Sequence, residues 1–188
     1  MSLPCLCQKR NKPRSPADGF FDDPLAGLDP TKSRIISIQY QPLDFVTGRP
    51  IGELVILNDW QLGSEKNILD SLLQVYSLAN PWCFIPVGNN LLFECRFLKY
   101  KLWWHYGLQG LKLGQRPMVD LKHVLMIMNG GRFRGYSALL GKSEIAANMP
   151  AWYATKNFYQ IEHYIREEAM NFTKVYAVLK SELPKIRI

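Results

Sequence analysis

Pro86–Lys99, PVGNNLLFECRFLK, decides how the rest of the chain is read. The apolar run Cys83 to Val87 predicts a short buried strand, Gly88-Asn89-Asn90 a turn, and Leu91 to Leu102, apolar at helical spacing, a helix. That order puts Glu94 in the first turns of the helix, near the strand's carboxyl end, where open α/β sheets bind ligands. A carboxylate there either holds a metal ion or answers the positive end of the helix dipole.

Upstream, Glu65 to Leu78 carries Ile68, Leu72, Val75 and Leu78 on one face and predicts an amphipathic helix crossing over to the strand before Gly88. RIISIQYQ, Arg34 to Gln41, alternates as a strand does, with Ile36, Ile38 and Tyr40 on one side. Thr47-Gly48-Arg49-Pro50 predicts a turn, Gly52 to Leu57 a further strand, and Gly19 to Asp22 a very short apolar piece before them. Three consecutive strands with tight turns make an antiparallel meander, and the crossover strand turns it into a mixed sheet. The expected class is α/β, with helices on both faces.

Downstream, Trp103, Trp104 and Tyr106 of KLWWHY, Lys101 to Tyr106, either pack against the fold or stack on bases. Val119 to Met128 predicts a helix with Asp120 at its N-cap, and His123 on it reads as a packed or surface residue. NGGRFRG, Asn129 to Gly135, breaks that helix. Its Arg132 and Arg134 either reach for phosphates or flank a plain turn. Asn157 to Leu183 predicts a long helix with Phe158, Ile161, Ile165, Phe172, Val175 and Leu179 as its stripe, ended by Pro184.

The chain has 188 residues, 47% of them hydrophobic, enough for one domain with a sizeable core. A net charge of +7 suits a polyanionic partner or an anionic surface, though it also serves plain solubility. Residues 1–18 mix Lys9, Arg10, Lys12 and Arg14 with Pro4, Pro13 and Pro16 and read as a flexible basic arm, leaving 19–188 as the single domain. Cys5 and Cys7 fall in the arm, Cys83 and Cys95 in segments that read as buried. No disulfide framework is evident, and a reducing compartment, the cytoplasm, is expected. A Cys-x-Cys pair without a second ligand pair is a weak metal signal. No apolar run reaches the roughly 20 residues that span a bilayer, and the start lacks the pattern of a secretory signal, so no membrane association is expected.

Three acids stand apart: Asp22 after the first short piece, Glu94, and Glu168 in the last helix. Carboxylates brought together repel unless a cation neutralises them. Two divalent ions roughly 4 Å apart are the usual arrangement for phosphodiester cleavage. Tyr164 precedes Glu168 by one turn at about 40° of rotation, and His163 stands similarly to Glu167, so either can orient a metal-bound water or take its proton.

The order FFDDPLAGLDP, GNNLLFE, HYIREE resembles the DEDD superfamily of 3′-to-5′ exonucleases, whose fold is ribonuclease-H-like. That family's first motif, Asp-x-Glu-Thr-x-Gly-Leu after a strand, would have Asp22 as its leading ligand. Its second, Gly-x-Asn-x-x-Phe-Asp, is met by Gly88, Asn90 and Phe93 with Glu94 in the acid's place. Its third, Tyr four or His five residues before an acid, is met by Tyr164, His163 and Glu168. The resemblance implies that Asp22, Glu94 and Glu168 hold two Mg²⁺ or Mn²⁺ ions, that Tyr164 or His163 serves the water, and that Asn90, with the loop arginines Arg132 and Arg134, contacts a single-stranded nucleic-acid end. Pro24 stands where the first motif has Glu, and both other acids are one methylene longer. Two functions therefore remain: a metal-dependent exonuclease, or a catalytically inactive nucleic-acid-binding module on the same fold. A plain folded protein whose acids are solvated or capping groups is a third.

Overall fold

Ser33–Tyr40 (β2) is the middle strand of a three-stranded antiparallel sheet in the order β1-β2-β3. The computed structural model to which it belongs describes residues 5–9, 29–132 and 148–182. Ile35, Ile36 and Ile38 are buried together with Ser37 and Gln39. Both faces of β2 are therefore covered, which mutes the alternation expected along it. Cys5–Lys9 (β1) pairs with one edge, Cys5 opposite Ile38 and Lys9 opposite Ser33. Val55–Asn58 (β3) pairs with the other, Ser37 opposite Asn58 and Tyr40 opposite Val55. The first strand of this sheet thus comes from inside the stretch read as an arm: pairing with β2 gives its backbone the partners its composition alone does not promise. The piece expected at Gly19 to Asp22 lies outside the described residues.

Two short turns of sequence then set the helices. Asn58 accepts from Gln61 N (2.9 Å) to open Asp59–Leu62 (α1), and Gly63, at φ +85°, closes it. Ser64 Oγ accepts from Asn67 N (3.1 Å) to open Glu65–Val75 (α2). The helix stops three residues short of the expected Leu78, because Tyr76 turns into the core beside Phe84. Ile68, Leu69 and Leu72 of α2 pack with Ile35 and Ile38 of β2 and with Leu91, Leu98 and Leu102 of Leu91–Tyr106 (α3).

The strand expected over Cys83 to Val87 shrinks to Val87–Gly88 (β4), and it does not join the antiparallel sheet. It pairs in parallel with Val119–Asp120 (β5), so the described residues form two separate sheets rather than one mixed sheet. Pro86 supplies no N–H to a ladder, though its carbonyl accepts from Val119 N (2.8 Å), and Asn90 at φ +63° turns the chain at once into α3. α3 runs through KLWWHY to Gly107, farther than its predicted end at Leu102. The helix expected from Val119 is instead β5 followed by Lys122–Met128 (α4), stopped at Asn129 with Gly130 and Gly131 at positive φ. Met149–Ala154 (α5) leads to Phe158–Glu182 (α6). No helix among the described residues is long and apolar enough to cross a membrane.

The cysteines part company. Cys83 is exposed rather than buried, in a turn before Pro86, whereas Cys95 is buried on α3. Burial, reinforced by the negative charges of Glu94 and Asp120, pushes the Cys95 thiol up to about 11. Iodoacetamide at pH 8 is therefore expected to alkylate Cys83 in the native protein and to reach Cys95 only after unfolding. Peptide mapping that found both labelled at similar rates in the native state would contradict this placement.

Candidate functional site

The buried stripe of α6 crosses from one sheet to the other. Ile161, Tyr164 and Ile165 pack with Ile56 of β3 and Trp60 of α1, while Phe172 and Leu179 pack with Val87 of β4 and with Leu121 and Leu125. Glu168, 8% exposed, stands one turn after Tyr164 and one turn before Phe172 on the same stripe. It therefore sits over the seam between the sheets. Glu94, also 8% exposed, lies in the first turn of α3 just after β4, the strand that forms the seam's other border. Two of the three acids singled out from sequence are thus buried, Glu168 on the stripe of α6 and Glu94 in the first turn of α3.

The third acid, Asp22, lies outside the described residues, as does Pro24. Tyr164 is 7% exposed; burial first, and then the Glu168 carboxylate, drive its phenol well above the ordinary range. At neutral pH it is a protonated donor, able to orient a water or a phosphate oxygen but not to take a proton. His163 stands by Glu167 as its spacing predicts, its Nδ1 3.6 Å from Glu167 Oε2; the pair is exposed, on another side of α6 from Tyr164 and Glu168, because its position falls off the buried stripe.

The sheet under α6 is polar. Ser37 and Gln39 share a face of β2, and their cross-strand partners are Asn58 and Ile56, the last of which packs on α6. Ser37 Oγ, both amide atoms of Gln39 and Asn58 Nδ2 are buried with no hydrogen-bond partner among the described residues. Buried polar atoms left in this state call for water or a ligand nearby.

At the carboxyl ends of β4 and β5 a second set of contacts gathers. Asp120 Oδ1 accepts from Asn90 N (2.8 Å) and from Lys122 N (3.0 Å), and Lys122 Nζ donates to Asn90 Oδ1 (3.0 Å). Asp120 thus does more than open α4: it ties the two strand-to-helix turns together. Asn90 is held by Lys122 and Asp120, whose involvement the sequence did not reveal because they lie about 30 residues away along the chain. Arg132 is exposed where α4 ends, and Arg134 lies outside the described residues.

Among the described residues no group of three His, Cys, Asp or Glu side chains stands close enough to hold a metal ion. Glu94 and Glu168 have the hard oxygen donors that Mg²⁺ or Mn²⁺ takes, but two carboxylates do not make a two-ion site. Comparison with protein-family models and with curated proteins finds no match for the chain.

Proposed function

We propose that the chain binds the 3′ end of a single-stranded nucleic acid at the seam, as a ribonuclease-H-like relative of the 3′-to-5′ exonucleases that does not hydrolyse it. The observation that carries this reading is the identity of β1. The strand next to β2 is CLCQK, Cys5–Lys9, and the residues that follow it in sequence are Arg10, Asn11, Lys12, Pro13 and Arg14. The resembled family needs its leading acid and Glu directly after the first strand, and this chain has cations there. Such residues attract phosphates and repel a divalent ion. What supports the fold assignment is the antiparallel trio of strands, while the parallel pair whose ends lead into α3 and α4 stands as a separate sheet.

A second reading keeps catalysis. It draws on the two carboxylates, Glu94 and Glu168, each only 8% exposed and each the kind of hard oxygen donor that Mg²⁺ or Mn²⁺ takes. In that version they bind Mg²⁺ or Mn²⁺ with Asp22, and Tyr164 donates to the attacked phosphate or its water.

End-labelled single-stranded DNA and RNA, incubated with each divalent ion, separate the two. The expected result is binding that weakens as salt rises, stronger for a free than for a blocked 3′ end, with no mononucleotide released. Release of mononucleotides that requires Mg²⁺ or Mn²⁺ and disappears in Glu94→Ala would establish the second reading instead.

A further inference from the structure

α3 carries apolar side chains on both sides. Leu91, Phe97, Leu98 and Leu102 are buried, yet Leu92 is 55%, Trp103 41% and Trp104 51% exposed. A helix apolar all round is ordinarily enclosed by its own fold, and this one is not. Leu92, Arg96, Lys99 and Trp103 follow one another at helical spacing on the outward side, all exposed, with Tyr100 and Trp104 beside them. The rings form a cluster: Tyr100 and Trp103 have centroids 5.4 Å apart, and Tyr100 and Trp104 are 6.5 Å apart and within 12° of parallel. Alongside runs a cleft of about 330 Å³ between α3 and residues 111–115, and its charged lining consists of Arg96, Lys99 and Lys112, with no carboxylate.

We propose that this outward face of α3 is a second contact surface for single-stranded nucleic acid, with bases stacking on Trp103, Trp104 and Tyr100 and phosphates held by Arg96, Lys99 and Lys112. The charge decides the occupant. A surface that is apolar, aromatic and cationic, with no acid in its cleft, complements a polyanion with flat apolar faces, and the chain's net +7 has the same sign. Each base has a π-face, so such a surface tolerates sequence, while the cations follow the backbone. α3 begins at the seam, and its 16 residues extend about 24 Å from it, so one strand can reach both places. The inference rests on the nucleic-acid reading of the seam and gives it a path for the body of the strand.

The test measures fluorescence anisotropy of a short labelled oligothymidylate, linear and as a covalently closed circle. Trp103→Ala with Trp104→Ala is expected to weaken binding of both forms by about tenfold or more. Arg96→Gln, Lys99→Gln and Lys112→Gln together are expected to lower the slope of log affinity against log salt by about two. All five side chains can be changed without opening the core, and circular dichroism verifies that the variants fold. Loss of circle binding in these variants supports the α3 face even if linear and circular strands bind alike, a result that would remove end recognition at the seam. Full affinity and an unchanged salt slope in both sets overturn the proposal. So does a wild-type chain that binds no strand but self-associates in sedimentation, with the association lost in Trp103→Ala, because the face would then be a protein interface.

Discussion

Glu65→Ala is expected to lower the stability of the chain by about 3–5 kcal/mol in urea titrations, which is a large part of what a domain of this size has. The reason is the company Glu65 keeps. Its Oε1 accepts from Ile35 N (2.6 Å) and lies 3.1 Å from Lys101 Nζ, while its Oε2 lies 2.9 Å from His105 Nε2. Lys101 is only 2% exposed, and its ammonium also donates to Ser33 O. Removing the carboxylate leaves the buried Lys101 cation without a counter-charge and the buried Ile35 N–H without its acceptor. The pair joins α2, α3 and β2 at one point, so the loss is felt by all three. Replacing both partners by apolar residues of similar volume, Glu65→Leu with Lys101→Met, is expected to recover part of the stability, since the desolvation of two charges is then avoided while Ile35 N still lacks its acceptor. A double variant as unstable as the single one would show that the ion pair has a role beyond mutual neutralisation.

The same residue gives the protein an acid limb. Burial works against the Glu65 charge, but the bonds from His105, Ile35 and Lys101 outweigh it, and its carboxyl titrates below the ordinary 4.5. A depressed folded pKa contributes stability that is fully present above the unfolded value. It is lost as pH falls through the folded one. Wild-type stability should therefore decline below about pH 4.5 more steeply than that of Glu65→Gln. Parallel curves for the two proteins would remove this group from the acid response.

Phe84→Ala is the second large effect, expected to cost about 3–5 kcal/mol. Phe84 is 1% exposed and meets Tyr40 of β2 and Tyr76 edge-on, with centroids 5.9 and 5.4 Å away. Such edge contacts add to what burial of the ring already contributes. Phe84 belongs to the irregular stretch before β4, so its ring is the peg that fastens this stretch to the antiparallel sheet. Phe84→Leu keeps part of the volume and should lose only part of the stability. In Phe84→Ala, amide exchange at Val119 and Leu121, whose N–H groups donate to Pro86 O and Gly88 O, should quicken beyond what the global change explains. Exchange that tracks global stability alone would mean that β4 is held without Phe84.

Most helices were legible because their signals are local. The apolar face of α2, the Gly88-Asn89-Asn90 turn before α3, and the stripe of α6 all lie within a few residues of what they control. Glu94 was legible as a candidate because it follows a strand and its turn, and Glu168 because it stands one turn after Tyr164. Other features were not. β1 hid in a basic stretch because its order comes from β2, residues Ser33 to Lys9 meeting across the sheet. The outward position of Trp103 and Trp104 was hidden because α3 is apolar on both sides, so periodicity could not say which side is covered.

From its own order of residues the chain determined that helices form over the bodies of α2, α3, α4 and α6, and that acids and cations are spread over separate elements. Those outcomes follow from caps, turns and short-range periodicity, whose energies act within a turn or two. Only the tertiary structure decided that the strands divide into two sheets, that Glu168 of α6 stands over the seam between them, that Asp120 ties Asn90 to Lys122, and which side of α3 faces outward. Each of these depends on partners brought together from distant parts of the chain, and burial, not local preference, selects them.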